Sequence, residues 1–247
     1  MSLPGPRSDS SVRRARLVRL HPTLRTGSRL AEDLAEQART PRLATGHAAV
    51  DHLLGGGFLR GRLAEITGPL SSGRTSLAVA LAATATRAGE VVAWIDPSDA
   101  LDPASLEAAG VVGERLLWVR PTRTGDALRC AERLLLARGF ALVVLDLDVP
   151  GARTGAWLRL TRCASASATA LVLLGREPAL GSFAALAVDL RVTRLRFAER
   201  PAWLEGLEAR LALVRRRSGA TGGGFAPVCW KVPPVARDPL EPGADAS

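Results

Sequence analysis

The sequence has few of the residues that build metal sites, disulfide frameworks or membrane spans. It holds three cysteines and three histidines in 247 residues, and none stands at a spacing typical of a zinc site or a CxxC motif. We therefore expect reduced, apolar cysteines and no metal held by protein ligands alone. There is no run of about 18 apolar residues and no apolar stretch behind the N-terminal arginines, so we expect no transmembrane helix, no signal peptide and a cytoplasmic location.

Lysine and tyrosine are also scarce. Tyrosine is absent, and of the 33 basic residues only Lys231 is a lysine, so nearly all of the positive charge is arginine. The net charge of +9 is compatible with a nucleic-acid or acidic partner and equally with a solvated basic surface. The length and the 47% hydrophobic content favour a globular chain with an ordinary core and exclude collagen-like repeats or wholesale disorder.

The composition divides the chain into a core and two tails. Residues 1–27 form a basic tail rich in proline, serine, glycine and arginine, and residues 233–247 form a proline-rich acidic tail. Residues 28–42 are predicted to be an N-terminal helix and linker, with the helix over 28–37, and residues 43–232 the folded core. The basic tail either contacts a partner or DNA or is simply solvated. The arginines in question are Arg13, Arg14, Arg16 and Arg19.

Within the core, short apolar runs alternate with helical stretches. Strands are predicted at 63–67, 91–95, 116–119, 141–147 and 170–174, and helices at 76–88, 103–110, 125–139 and 155–167. Strands that are apolar throughout are typical of a parallel sheet covered on both faces. The last third, which ends in a strand at 225–232, alternates more strictly and predicts antiparallel additions. We therefore predict an α/β fold with a mixed, mostly parallel sheet and helices on both faces.

A glycine-rich segment lies between the first of these strands and the first long helix. GPLSSGRTS fits the phosphate-binding pattern GxxxxGK[ST] at every position except the lysine. Its glycines allow backbone N–H groups to wrap phosphates, and the helix N-terminus adds a favourable dipole. Arginine is longer and planar where lysine is a compact point charge, so phosphate binding is expected to be perturbed. The candidate nucleotide-binding residues are Gly68, Ser71, Ser72, Gly73, Arg74, Thr75 and Ser76.

A carboxylate ends the apolar strand LVVLD. Asp146 is placed like the Mg²⁺-binding aspartate of P-loop proteins, and Thr75 would offer its hydroxyl to the same ion. Asp148 lies two residues further, on the same face by strand alternation. The alternative is that both aspartates are turn residues at the end of a strand.

The tryptophans and the arginines at residues 215–217 are interpreted in terms of packing and strand ends. Trp94, Trp118 and Trp157 fall in or near predicted core elements, so we expect them to pack in the core. Trp203 and Trp230 are candidates for an interface. The run at residues 215–217 is predicted to be the charged end of a hairpin.

Residues 43–78, LATGHAAVDHLLGGGFLRGRLAEITGPLSSGRTSLA, resemble the core of the RecA recombinases. The TG, the VD, the glycine-rich turn, the strand and the P-loop follow one another in register. The stretches 91–111 and 113–135 continue the resemblance, which covers about residues 28–231. It implies a RecA-like P-loop fold.

Four positions depart from what this resemblance implies. The family's IDxExALDP stretch carries the glutamate that activates water, and here Ser98 stands in its place, which cannot act as that base. Ser105 replaces the tyrosine that stacks on adenine, and Gly175-Arg176 replaces the polar pair that senses the γ-phosphate. Together with Arg74, these changes predict a degenerate ATPase with no catalytic residues. At most, ATP and Mg²⁺ bind without hydrolysis.

The loops with which the family holds DNA are also short. They amount to about residues 148–154 and 176–181, with no aromatic side chain for base stacking, so DNA contact is expected to be weak. A RecA-like core with a weakened P-loop, short loops and proline-rich tails resembles the ImuA family, accessory proteins of DNA-damage-induced mutagenesis sometimes grouped with SulA-like proteins.

This second resemblance implies a non-catalytic role in the SOS response, DNA repair and translesion synthesis. The implied partners are a RecA-type recombinase, an ImuB-like relative of Y-family polymerases and an error-prone polymerase complex. The alternative is an active ATP-dependent DNA-binding ATPase of the RecA or RadA class.

Overall fold

The computed structural model describes residues 40–147, 154–198, 204–217 and 223–231. The predicted helix over 28–37, the arginines of the basic tail, Asp148, Trp203 and the acidic tail lie outside these described residues. In the described part, the predicted α/β class is confirmed, because a mixed eight-stranded sheet carries helices on both faces.

The described part contains ten strands and five α-helices. The strands are β1 (Arg42–Leu43), β2 (Phe58–Leu59), β3 (Leu63–Thr67), β4 (Val91–Ile95), β5 (Leu116–Val119), β6 (Phe140–Asp146), β7 (Ala170–Gly175), β8 (Leu186–Phe197), β9 (Leu204–Arg216) and β10 (Phe225–Lys231). The helices are α1 (Ala48–Leu54), α2 (Arg74–Arg87), α3 (Pro103–Ala108), α4 (Thr124–Ala137) and α5 (Thr154–Ser167).

The strand order places the glycine-rich loop inside the main sheet. β1 and β2 form a small antiparallel pair, and the other strands follow the order β10-β9-β8-β3-β7-β6-β4-β5. Strands β3 to β8 run parallel, whereas β9 pairs antiparallel with β8 and β10 antiparallel with β9. The predicted antiparallel additions at the C-terminal end are therefore confirmed.

Most predicted elements agree with the observed ones to within two residues. The helix predicted from residue 76 starts at Arg74, because Gly73 turns the chain directly into the helix with φ +90°. The helix predicted to reach residue 139 ends at Ala137, because Arg138 and Gly139 both take positive φ. We did not predict α1, β1 or β2, since strands of two residues leave no periodic pattern.

The core lies in two layers, one on each face of the main sheet. One layer joins the apolar side chains of α1 and α2 to the inward residues of β8–β10, with Trp94 fully buried among them. The other joins α4 and α5 to the opposite face of β3, β4, β6 and β7, with Trp157 3% exposed. Because side chains alternate along a strand, Asp96 and Asp146 lie on the α2 face together with Trp94 and Val144.

The described residues also show the state of the cysteines and the hydropathy of the helices. Cys130 and Cys163 are half-buried and Cys229 is exposed, and none forms a disulfide with another described residue. Burial is the largest cause that raises the pKa of the Cys163 thiol. Among the described residues, no helix is both long and apolar enough to cross a membrane.

Candidate nucleotide-binding site

The loop between β3 and α2 has the backbone of an anion-binding turn. Gly68, Ser71 and Gly73 take φ values of +148°, +58° and +90°. The N–H of Ser72 donates to the carbonyl of Pro69 at 3.3 Å, and the N–H of Leu77 donates to the carbonyl of Gly73 at 2.9 Å. Left-handed residues in such a turn direct successive N–H groups to one side, where an anion can accept them. The predicted phosphate loop therefore has a suitable shape.

The start of α2 adds positive charge to this turn. Its first turn contains Arg74 and no acidic residue, so the guanidinium stands at the positive end of a 14-residue helix. The hydroxyl-bearing Thr75 is exposed, whereas Ser76 is half-buried. An anion bound at the loop would interact favourably with both the positive end of the helix dipole and the arginine.

Ser72 is the one buried polar side chain among the described candidate residues of the loop. Its side chain is 1% exposed, and its Oγ has no hydrogen-bond partner among the described residues. A Cβ placed on Gly68 would lie 2.7 Å from this Oγ, so the hydroxyl packs under the first glycine of the loop. An unpaired buried hydroxyl costs free energy, which an additional acceptor or donor at the loop would relieve.

Trp230 covers the second glycine of the loop. A Cβ on Gly73 would overlap the six-membered ring of Trp230 and lie 2.7 Å from its Cη2. The ring also meets His47 edge-on, with 5.8 Å between the ring centroids, and its Nε1 is buried without a hydrogen-bond partner in the described part. Burial lowers the pKa of His47, against an opposing effect of Asp51. Trp230, a candidate for an interface by sequence, packs against the glycine-rich loop and so forms a wall of the candidate site.

Two aspartates stand side by side at the ends of neighbouring strands. β4 and β6 pair with Ile95 opposite Leu145, so the next residues, Asp96 and Asp146, are also neighbours. The Oδ2 of Asp96 accepts the N–H groups of Ala100 at 2.7 Å and Leu101 at 3.0 Å. Its Oδ1 is buried with no partner among the described residues. Sequence reasoning singled out Asp146 and missed Asp96, whose signals are its position after an apolar strand and the aspartate of the IDxExALDP stretch.

Ser98 lies in the turn that Asp96 holds. The serine is exposed, and the adjacent Asp99 has φ +51°. The carboxylate of Asp99 pairs with Arg120 at 3.3 Å, and that guanidinium lies 4.7 Å from the centre of the Trp118 ring. Of the two carboxylates near Ser98, Asp96 thus has one oxygen engaged with backbone N–H groups, and Asp99 is paired with an arginine.

Ser105 has a local structural role. Asp102 is the N-cap of α3, and its Oδ2 accepts both the N–H of Ser105 at 2.9 Å and the serine hydroxyl. These hydrogen bonds are the largest cause that lowers the pKa of Asp102. The residue that replaces an aromatic side chain therefore completes a helix cap.

Charged side chains hold the segment after β7 from two sides. Glu65 is 1% exposed, two residues before the end of β3, and its carboxylate accepts the N–H groups of Ala179 and Leu180, the latter at 3.1 Å. At the end of β9, two arginines of the predicted hairpin end donate to this same segment. They are Arg215, to the carbonyl of Gly181, and Arg217, to the carbonyl of Ser182 at 2.8 Å.

The short loop predicted at residues 176–181 is therefore tied to the sheet at residues 179–182. Most of the other predicted loop, residues 148–153, lies outside the described residues. The candidate site as a whole brings together the phosphate loop, Asp96 and Asp146 on the α2 face, with Trp230 as a wall.

These features agree with what comparison with known proteins finds. A family model, the RecA N-terminal domain, matches residues 24–152, more than half of the chain. The chain belongs to the RecA N-terminal domain family. The matched range contains the phosphate loop, Ser98, Ser105 and Asp146, and it ends before β7.

Individual relatives match part of the chain, and a solved structure shares its fold. Protein RecA of Picosynechococcus sp. is 40% identical over 112 residues, 45% of this chain and 32% of the relative. Protein RecA of Rubrobacter xylanophilus is 41% identical over 124 residues, 50% of this chain and 34% of the relative. This RecA-like chain thus matches about a third of the length of those curated relatives. The crystal structure of the RadB recombinase shares its fold, with a TM-score of 0.56 and 22% identity over 74% of this chain and 94% of that one.

Proposed function

We propose that this RecA-like chain is a non-catalytic accessory protein of the DNA-damage response that acts in translesion synthesis in the cytoplasm. Its resemblance to the ImuA family suggests the partners: a RecA-type recombinase, an ImuB-like polymerase relative, or the error-prone polymerase complex that contains it. The observation that carries the proposal is the environment of Ser98.

A hydrolytic site needs a base that can accept the proton of the attacking water. Ser98 cannot do so near neutral pH, and we propose that neither neighbouring carboxylate takes over this role. Asp96 is fully buried and accepts two backbone N–H groups, and Asp99 is paired with Arg120 on the surface. ATP hydrolysis is therefore absent or very slow in this proposal.

Nucleotide binding is a separate question, and the loop supports it. The left-handed residues at 68, 71 and 73 keep the shape of an anion-binding turn. The residues that would hold a nucleotide are those of the loop, with Arg74 toward the phosphates and Thr75 and Asp146 toward Mg²⁺. The phosphates of a bound nucleotide would supply negative charge that pairs with Arg74 and with the positive end of the α2 dipole. We therefore propose that ATP and Mg²⁺ bind as a structural ligand.

The anchored segment after β7 supports protein binding over DNA binding. A loop that wraps single-stranded DNA has to rearrange and offer aromatic or basic side chains. Here the side chains of Glu65, Arg215 and Arg217 hydrogen-bond to backbone groups of residues 179–182 and hold that segment. At the same time, the far ends of β8 and β9 expose large apolar side chains, which are typical of a protein interface. These are Leu195 at 49%, Phe197 at 55% and Leu204 at 42% exposure.

The first experiment measures phosphate release from ATP with Mg²⁺ and single-stranded DNA. We expect the unaltered chain to release phosphate no faster than an Asp146→Ala variant does. Calorimetric titration with ATP and Mg²⁺ should still detect binding, and Arg74→Lys should tighten it. DNA-stimulated turnover that Asp146→Ala abolishes would overturn the non-catalytic assignment.

The second experiment tests the partners directly. Immobilised full-length chain is incubated with the purified recombinase and, separately, with the purified ImuB-like protein of the same organism. The proposal requires retention of one or the other. If neither is retained, with and without ATP and Mg²⁺, the accessory role is wrong.

The second candidate is an ATP-dependent DNA-binding ATPase of the RecA or RadA class. The retained glycines of the loop and the aspartate at residue 146 favour it, because they are the parts that an active enzyme also needs. The phosphate-release assay separates the two candidates, since only this one predicts turnover.

A further inference from the structure

The three C-terminal strands β8, β9 and β10 differ between their two faces. On the inner face, Leu211, Ala226 and Val228 are at most 3% exposed, because α1 and α2 pack on them. On the outer face, Ala187 at the start of β8 still packs in the layer of α4 and α5, and Gly206 is buried. From Asp189 onward, the other outer residues of these strands are exposed or half-buried. Beyond Ala187, the outer face of β8–β10 is thus a largely exposed sheet surface within the described part of the chain.

This outer face is basic. The strand registers place Arg191 directly opposite Arg210, and Arg196 opposite Gly206, which in turn is opposite Lys231. Arg194 stands between these two rows on β8, opposite Glu208. Like charges directly opposite each other on neighbouring strands destabilise a sheet. An anionic partner would therefore reduce the repulsion among these five basic side chains.

The same face has an apolar end. Phe225 is 60% exposed and Val214 is 58% exposed, on neighbouring strands near the carboxyl end of β9. The guanidinium of Arg210 lies 4.6 Å from the centre of the Phe225 ring and so links the apolar end to the basic rows. Exposed Pro227 lies opposite Arg210 on β10. An apolar centre beside a charged rim is the usual anatomy of a protein interface.

The carboxylates on this face favour a protein over a nucleic acid. Asp189 pairs with Arg191 at 2.7 Å, and Glu208 pairs with Arg196 at 3.2 Å, so negative charges interleave with the arginines. A continuous phosphate backbone would pass close to both carboxylates, whereas a peptide can place its acidic side chains selectively.

We infer that the outer face of β8–β10 binds an acidic protein segment that inserts one or two apolar side chains against Phe225 and Val214. Its carboxylates pair with Arg191, Arg194 and Arg210. This inference rests on the proposed function in one respect, that the chain acts by binding proteins, and it names the surface used and the chemistry of the bound segment.

The test uses the full chain and three labelled synthetic peptides of equal length. The first alternates glutamate with leucine and phenylalanine, the second carries glutamine for each glutamate, and the third carries glycine for each apolar residue. In fluorescence anisotropy, the first peptide should bind at least about tenfold more tightly than the others, because only it matches both the charge and the apolar end.

Paired variants locate the binding. Arg191→Glu with Arg210→Glu should weaken binding of the first peptide by about tenfold or more. Arg87→Glu with Arg133→Glu makes the same charge change on exposed residues of α2 and α4 and should weaken it by less than about twofold. If the first double variant does not fold, Arg191→Gln with Arg210→Gln takes its place. The comparison of the three peptides on the unaltered chain tests the inference without any variant.

Three results would overturn the inference. They are no binding of the first peptide, equal binding of the glutamate and glutamine peptides, and equal weakening by both pairs of variants. A single-stranded oligothymidine could also displace the labelled peptide at a lower concentration than unlabelled peptide needs. If the Arg191 and Arg210 changes weaken oligothymidine binding as well, the face is a nucleic-acid surface instead. No recombinase or ATP enters this experiment, so its failure is distinguishable from failure of the proposed function.

Discussion

The contact between Trp230 and Gly73 predicts that alanine at position 73 destabilises the fold through two separate costs. The first is conformational, because φ is +90° and a left-handed backbone costs an alanine about 1–2 kcal/mol. The second is steric, because the new Cβ overlaps the Trp230 ring, and overpacking of this kind costs about 1–3 kcal/mol. We therefore expect Gly73→Ala to lower the free energy of unfolding by about 2–5 kcal/mol.

Two matched variants separate these costs in urea denaturation followed by circular dichroism. Gly89 has φ +86° and nothing within 4 Å of its added Cβ, so Gly89→Ala should show the conformational cost alone. In a Trp230→Leu background, Gly73→Ala should likewise lose only about 1–2 kcal/mol, since the ring that opposes the Cβ is gone.

Either of two results would contradict the predicted clash between Trp230 and a Cβ at position 73. One is an equal loss for Gly73→Ala and Gly89→Ala, which would mean that the ring does not oppose the Cβ. The other is an unchanged cost of Gly73→Ala in the Trp230→Leu background, which would mean that the two residues do not interact.

Three further predictions concern other contacts. Glu65→Ala should lower the free energy of unfolding by about 2–3 kcal/mol and speed proteolysis at residues 176–185, because one buried and one partly buried N–H group lose a charged acceptor. An unaltered urea midpoint would contradict this. Because burial lowers the pKa of His47 in the folded state, the unfolded chain binds more protons near pH 6, so stability should fall as the pH drops from about 7.5 to 5.5. His47→Gln should make the thermal midpoint less dependent on pH over that range, and identical slopes would refute the assignment. Asp102→Ala should speed amide hydrogen exchange across α3, Ser105 above all, and equal exchange would show that the cap is not stabilising.

The local part of the site could be predicted from the sequence. Strand β3, the glycine-rich loop and α2 are contiguous, so the spacing of glycines between an apolar run and a helix carries the whole pattern. Asp146 was predictable for the same reason, since it ends an apolar strand. These features depend on neighbouring residues, which a sequence displays directly.

The walls and anchors of the site could not be predicted in this way. Trp230 meets Gly73 because the strand order places β10 in the same sheet as β3, with β9 and β8 between them. The register of β10 then turns the side chain of residue 230 toward the inner face. Glu65 is a charged residue inside an otherwise apolar strand, and the sequence does not indicate its partners. These are residues 179 and 180, more than a hundred positions away. Such contacts follow from strand order, which periodicity does not encode.

The position of Trp230 also has a consequence for how the chain folds during synthesis. The phosphate loop leaves the ribosome early, whereas the strand that supplies its wall is the last one described. At the usual rates of translation, roughly 10–30 s pass between the two. During that interval the loop has its complete local sequence but lacks the surface that supports it, because β10 joins the sheet only through β9 and β8. A nascent or truncated chain can therefore carry an intact phosphate-loop motif before it can hold the loop in the geometry of the finished fold.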